Sequence, residues 1–156
     1  MKHLVLALVV ALALPSVAFA QGKPDFSGTW AMDPTRSESA TQAEPIGPVT
    51  VLITQTAVEL NIQTTRAQKT TVEIYKLDGS ESKIPSGTGK VRWDGPTLVI
   101  ETVRDIQGAT VTTKELRTLA AGGNEMRVES SLEVQHGYTL KGTYGTAKDV
   151  YKRVRP

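Results

Sequence analysis

From residue 49 onward the chain alternates between apolar and polar positions. VTVLITQ (49–55) places Val49, Val51 and Ile53 on one side, and VELNIQT (58–64) does the same with Val58, Leu60 and Ile62. A period of two is that of a strand with one face buried. Further runs of this kind are TTVEIYKL (70–77), GTGKVRW (87–93), TLVIETVR (97–104), ATVTTKELRTL (109–119), NEMRVESSLEV (124–134) and KDVYKRV (148–154). Asp78-Gly79, Asp94-Gly95-Pro96, Gln107-Gly108, Gly122-Gly123 and the stretch from Gly142 to Gly145 separate them as turns. With a first strand at 25–31, the pattern predicts an all-β, antiparallel up-and-down barrel of about eight or nine strands and no helix. Closure into a barrel removes exposed strand edges.

Facing residues of a hairpin must agree about which side is inside. A loop at 54–57 then pairs Ile53 with Val58 and Val51 with Leu60. A loop at 94–97 pairs Val91 with Ile100 and Trp93 with Leu98. A loop at 105–108 sets Leu98 against Glu115, Ile100 against Thr113 and Thr102 against Val111. A loop at 120–123 sets Val111 against Leu132, Thr113 against Ser130, Glu115 against Val128 and Arg117 against Met126. The run 70–77 does not choose a face: Val72 and Ile74 argue for one, Tyr75 and Leu77 for the other. Residues 31–48, with Pro34, Pro45 and Pro48, are expected to form one long loop.

The first twenty residues follow a different logic. Lys2 precedes an unbroken apolar run from Leu4 to Leu14, then Pro15 and Ser16, then Ala18-Phe19-Ala20. This is the layout of a secretory signal peptide cleaved after Ala20. The run is too short to span a bilayer, which takes roughly 20 apolar residues. The expectation is an exported chain, periplasmic or extracellular, with 21–156 as one domain and no membrane attachment after cleavage. Zero cysteines exclude disulfides, so the domain is stabilised by its core alone. The formal charge is +2 and mixed along the chain. Lys148, Lys152, Arg153 and Arg155 form the only local excess. They are read as a solvated strand end, with no nucleic-acid partner.

Little in the chain suggests catalysis. His136 is the single histidine after the leader, beside Gly137 in an expected turn. With no cysteine, this excludes a His-rich or thiolate metal site and a cysteine nucleophile. No nucleophile elbow is present. Gly87-Thr88-Gly89-Lys90 lacks the glycine spacing of a phosphate loop and reads as a strand start. Any two of sixteen acids might form a hydrolytic pair, but nothing selects one. No catalytic residue, metal or cofactor is expected. One strand stands out. If Val111 and Leu119 set the inner face of 109–119, then Thr113, Glu115 and Arg117 share it. A buried carboxylate needs a partner. Two readings stand: a structural ion pair, or outward displacement by a bulge, on one side; on the other, a lumen site for a small polar or anionic ligand. In the second, Arg117 is the charged contact and Trp93 a stacking wall.

The segments PDFSGTW…DPTRSES, YKLDGSES, VRWDGPTLVIET and TVTTKE, in this order, resemble a family of small secreted bacterial proteins of lipocalin-like type, mostly uncharacterised. Gly28-x-Trp30 is similar to the start of lipocalin-like (calycin) barrels. The resemblance implies that Trp30 closes one barrel end, packed by a basic residue of the last strand, Arg153 or Arg155. It also implies that loop 31–48 is lid-like, and that the protein binds a small polar or apolar molecule as an exported carrier. The alternative is a structural or interaction protein of the cell envelope, with a filled barrel that binds a partner through its rim or loop 31–48. For the leader, intact-mass measurement of exported protein is expected to start at Gln21; Met1 retained in a membrane fraction would refute the cleavage.

Overall fold

The alternating runs become ten strands in a computed structural model that describes residues 22–41, 46–85, 87–137 and 143–155. They are β1 (Gly28–Met32), β2 (Val49–Gln55), β3 (Glu59–Arg66), β4 (Lys69–Lys76), β5 (Ser82–Ile84), β6 (Gly87–Asp94), β7 (Thr97–Ile106), β8 (Ala109–Leu119), β9 (Glu125–His136) and β10 (Thr143–Arg153). The expected leader, residues 1–20, lies outside the described residues, as do Gly142 and most of the turn before β10. The sheet runs β4-β3-β2-β1-β10-β9-β8-β7-β6-β5, and its paired strands are antiparallel. The first strand thus joins the last, and the sheet curls into a nearly closed barrel. Only between β4 and β5 does the ladder lapse, and there the Lys76 amide donates to Ser82 Oγ at 2.9 Å. The tenth strand is β5, one more than the eight or nine expected. Three residues between Asp78-Gly79 and Pro85 are too few to show a period.

Inward positions in one half of the barrel form a dry core. Phe26, Trp30, Val51, Ile53, Leu60, Ile62, Val91, Leu98, Ile100 and Met126 are all nearly or fully buried. The strand that did not choose a face is decided by Tyr75, which is buried, while Val72 and Ile74 point outward and stay exposed. Burying the ring removes more apolar surface than either aliphatic side chain would.

Three of the four expected registers are shifted, by four residues in β2–β3 and by two in β7–β8 and β8–β9, which preserves every face. In β2–β3, Ile53 pairs with Ile62, not Val58. Thr56 starts the turn: its amide donates to the Glu59 carbonyl at 2.9 Å, and its Oγ1 accepts from the Glu59 amide at 2.9 Å. In β7–β8 the turn shrinks to Gln107-Gly108, both at positive φ, so Ile106 pairs with Ala109 and Ile100 with Glu115. This two-residue form is the favoured hairpin turn. In β8–β9 the loop lengthens around Gly122 and Gly123, both left-handed, and Leu119 pairs with Met126. The register of β6–β7 stands as expected, with Val91 on Ile100 and Trp93 on Leu98.

The GTG of β6 has a structural reason. Side chains of β4 cross the ladder gap into the lumen, and glycine makes room. A Cβ on Gly89 would lie 2.6 Å from Cε1 of Tyr75. Beyond it, Glu73 forms an ion pair with Arg104 of β7 and accepts from Tyr75 Oη at 2.8 Å. Arg104 also donates to Thr102 Oγ1 at 3.0 Å. The gap is therefore spanned by side chains where the backbone does not pair.

Of the expected loop 31–48, residues 42–45 lie outside the described residues, and the stretch up to Thr41 is better held than a free lid. Met32 still belongs to β1, and Glu38–Ala40 form a single 3-10 turn. The segment runs along β10 and completes its hydrogen bonds. The Asp33 amide donates to the Val150 carbonyl at 2.7 Å, and the Val150 amide donates to Ser37 Oγ at 3.0 Å. Asp149 accepts from the amide and hydroxyl of Ser39 at 3.0 and 2.6 Å. The Lys148 amide donates to Glu38 Oε2 at 2.8 Å.

A methyl group at Gly89 must displace the Tyr75 ring, since the contact is far tighter than van der Waals. Gly89→Ala is expected to cost about 1–3 kcal/mol of overpacking, measured by denaturant unfolding; an unchanged midpoint would refute the packing at the gap.

Candidate functional site

The closed end is built around Trp30. Its ring is fully buried, and its Nε1 donates to the Phe26 carbonyl at 2.9 Å. Arg153, its partner across β1 and β10, lays the guanidinium over the ring with Cζ 4.2 Å from the centroid. Nε of Arg153 donates to the Gly123 carbonyl at 2.9 Å and Nη1 donates to the Ser27 carbonyl. Gly28 has φ +132°, and a Cβ there would run into Nη1 of Arg153. Glycine is thus required both for the backbone angle and for the passage of the arginine. Of the two basic residues considered, Arg153 covers Trp30, while Arg155 is exposed and lines an outer cleft.

Against the apolar core, β8 brings charge into the lumen. Arg117 and Glu115 both face inward on β8. Glu115 Oε2 accepts from Nη2 of Arg117 at 2.7 Å and from Nε at 3.1 Å. The Arg117 side chain is 9% exposed and that of Glu115 29%. Burial opposes the charge on Arg117, but Glu115 outweighs it and holds the guanidinium above its ordinary range. Nη1 of Arg117 is buried without a hydrogen-bond partner. Tyr75 and Tyr151 lie near enough to act electrostatically on Arg117. Burial pushes the Tyr151 phenol up to about 12, with Arg117 pulling the other way. Burial, then Glu73, pushes Tyr75 up further. Both phenols stay protonated at neutral pH.

The shifted registers change the expected neighbours. Glu115 pairs with Ile100 and Ser130, not Leu98 and Val128; Arg117 takes Leu98 and Val128 instead. Thr113 is half-buried between Thr102 and Leu132. No bulge turns this strand outward, since β8 pairs without interruption on both sides. Trp93 shares a row with Leu98 and Arg117, but its ring belongs to the closed end. Phe26 packs on it at 6.1 Å between centroids, and Lys23 Nζ lies 5.5 Å from its ring centre. Toward the open end, Leu132 and Ile106 continue the inner face and are well exposed.

Sequence reasoning missed Glu73, Tyr75, Arg104 and Tyr151. The first three sit on or opposite the strand whose face was open. Tyr151 had a signal: it lies two residues before Arg153, and alternation puts both on one face.

Two cavities lie outside the lumen. One, about 670 Å³, opens at the closed end beside Ala120, Asn124, Arg127 and Arg155. The other, about 250 Å³, is apolar and lies under loop 31–48, lined by Met32, Pro34, Ala40, Ile46, Gly47 and Pro48. Among the described residues, no group of three or more His, Cys, Asp or Glu is placed to hold a metal ion.

No protein-family model and no curated protein matches the chain. Solved structures do resemble it. A crystal structure of the fluorescent protein UnaG, N57A mutant, superposes with a TM-score of 0.58 at 18% identity, covering 84% of this chain and 97% of that one. The fatty-acid-binding protein 1 of Echinococcus granulosus superposes with a TM-score of 0.57 at 17% identity, covering 83% of this chain and 98% of that one. The three chains share a barrel fold. At these identities the likeness is one of fold alone.

Trp30→Ala is expected to cost about 3–5 kcal/mol, as for other buried large side chains, with Arg153 losing its aromatic face as well; a loss under about 1 kcal/mol would mean the closed end does not depend on the ring. A second expectation concerns acid. Lys152, with Nζ 2.7 Å from Asp33, and then Thr35 hold the Asp33 carboxyl down at about 2. A carboxylate depressed in the folded state adds stability above its unfolded pKa, near 4, which is lost as pH falls toward 2. The melting temperature should drop over that window, and Asp33→Asn should flatten the drop.

Proposed function

We propose that the chain is an exported, lipocalin-like carrier that holds one small molecule in the open half of its barrel, with a polar group of the ligand at Arg117. The observation that carries this is Nη1 of Arg117: a donor of a fixed, buried cation that has no acceptor among the described residues. Buried polar groups are nearly always paired, and an exception calls for an explanation. A ligand acceptor supplies one. It reaches Nη1 by shifting the side chains that cover it, and Glu115, the more exposed member of the pair, is the one placed to move. Above this level Thr113, Leu132 and Ile106 offer a mixed wall for the rest of the molecule. The barrel that the chain shares with a fatty-acid-binding protein supports binding rather than catalysis.

A second reading has its own observation. The lumen around Arg117 is filled by aliphatic and aromatic side chains, and Glu115 already neutralises the cation. This favours a structural or interaction protein of the envelope. The two readings separate by experiment. Native mass spectrometry of protein purified from its own host is expected to show one small molecule retained, lost in Arg117→Leu with the melting temperature nearly unchanged. If the pair is only structural, Arg117→Leu instead strands a buried carboxylate and costs about 3–5 kcal/mol, and apolar replacement of both residues restores stability. That pattern, with no retained mass, would overturn the carrier.

A further inference from the structure

The closed end carries a charge imbalance that the lumen site does not use. The cleft of about 670 Å³ is lined by Ala120, Ala121, Asn124, Glu125, Arg127, Lys152, Arg153 and Arg155. Its one carboxylate is already committed. Glu125 accepts from Arg36 through both oxygens, at 2.6 and 3.2 Å, and from Nε of Arg127 at 3.0 Å. These two guanidinium groups hold its carboxyl below the ordinary range. Lys152 is paired with Asp33 at 2.7 Å. Arg153 is different. Its guanidinium is fixed by two carbonyls and the face of Trp30, all uncharged. Among the described residues, no carboxylate comes within 4.0 Å of Arg153 or Arg155. With Arg36 counted, five cations meet Glu125 and Asp33, and Asp25, held below its ordinary range by hydrogen bonds from Ser27 and also by Arg153, makes three carboxylates against five cations.

We infer that this cleft is a binding site for a phosphate-ester ligand carrying at least two negative charges. Solvated arginines on a convex surface contribute little and carry no such implication. Three features set this group apart. The cleft is concave, so several cations reach one ligand. Its floor is an arginine held rigid, so little side-chain entropy is lost on binding. The positive excess remains after every internal ion pair is made. Guanidinium forks match phosphate oxygens in two-point geometry; Arg155 at the rim is free to close on a ligand held against Arg153, and Arg127, whose Nε is held by Glu125, adds its charge beside it. A monoanionic carboxylate would leave part of the excess uncompensated; a phosphomonoester or diphosphate does not. The cleft faces away from the lumen, so this site is independent of the carrier reading.

The test uses the full mature chain and two probes. Inorganic pyrophosphate is titrated by calorimetry at low ionic strength. Vesicles of phosphatidylcholine, with and without phosphatidic acid, are used for co-sedimentation. Wild type is expected to bind pyrophosphate and to lose at least about tenfold in affinity in the Arg127→Ala/Arg155→Ala double variant, with a similar loss at high salt, since each charge-assisted contact is worth about that factor. Both side chains are exposed, so the melting temperature should hold. Arg155→Glu alone should act in the same direction if the double variant misfolds. Lys83→Ala/Lys90→Ala, which removes as much charge elsewhere, should bind like wild type. Retention on phosphatidic acid vesicles beyond what pyrophosphate binding explains assigns the phosphate to a lipid headgroup; pyrophosphate binding without retention assigns it to a soluble ester. No binding of either probe by wild type, or equal weakening by the Lys83/Lys90 variant, would overturn the site.

Discussion

The barrel depends on one stacked pair. A sheet of ten strands closes on itself only if its first and last strands meet, and β1 and β10 share just three paired positions. Backbone bonds over so short a ladder are few. The contact is reinforced at its end by Arg153 over Trp30. That arrangement removes a large ring from water, satisfies its indole donor, and links three segments that are far apart in sequence: Ser27, Gly123 and Arg153. A cation on an aromatic face adds about 0.5–2 kcal/mol by itself. Its larger effect is geometric. With the arginine in place, the N-terminal segment is held across the barrel end, and Gln55 of β2 binds that segment from the other side, accepting from the Phe26 amide at 3.1 Å and donating to the Pro24 carbonyl at 3.0 Å.

Closure at that end leaves a second problem at the β4–β5 gap, where the ladder lapses. The chain answers it with side chains, and their demands explain the sequence locally. Tyr75 needs a neighbour with no side chain, which is Gly89. Glu73 needs a cation across the gap, which is Arg104. Thr102 orients that cation. Both phenols belong to the core, and both ion pairs lie on the same inner face against it. An apolar filling would stabilise this level more than paired charges do. What paired charges add is a fixed orientation of donors and acceptors in the open half of the barrel.

How much of this was legible in the sequence follows from what each rule measures. Alternation reports faces, and faces survive any even register shift. That is why Thr113, Glu115 and Arg117 were placed inward although three of four hairpins slipped. Register depends on turn chemistry, and Gln107-Gly108 and Gly122-Gly123 act in opposite senses, one tightening its loop and the other lengthening it. Counting residues between apolar runs cannot separate the two. The face of 70–77 was illegible because Val72 and Ile74 are as apolar as a buried pair, and only Gly89 on another strand decides in favour of Tyr75. Trp93 was read as a lumen wall from parity, which gives its row but not its height; Phe26, outside any strand, claims its ring for the closed end.

The two ends of the molecule therefore carry opposite electrostatic designs. In the lumen, each inward cation has its own carboxylate: Arg117 with Glu115 two residues away on the same strand, Arg104 with Glu73 across the β4–β5 gap. Charge there is balanced, and what is left over is a single donor. At the closed end, the arginine that secures the fold is hydrogen-bonded by neutral groups, and Asp25, which feels its charge, makes no ion pair with it. The difference has a physical cause. A carboxylate placed against Arg153 would compete with the aromatic face and with the carbonyls of Ser27 and Gly123 for the same guanidinium, and would loosen the contact on which closure rests. Keeping Trp30 covered thus leaves a cation without an ion pair in the lining of an open cleft, where Arg127 and Arg155 add to it. A fold requirement at one residue becomes a recognition surface at its neighbours.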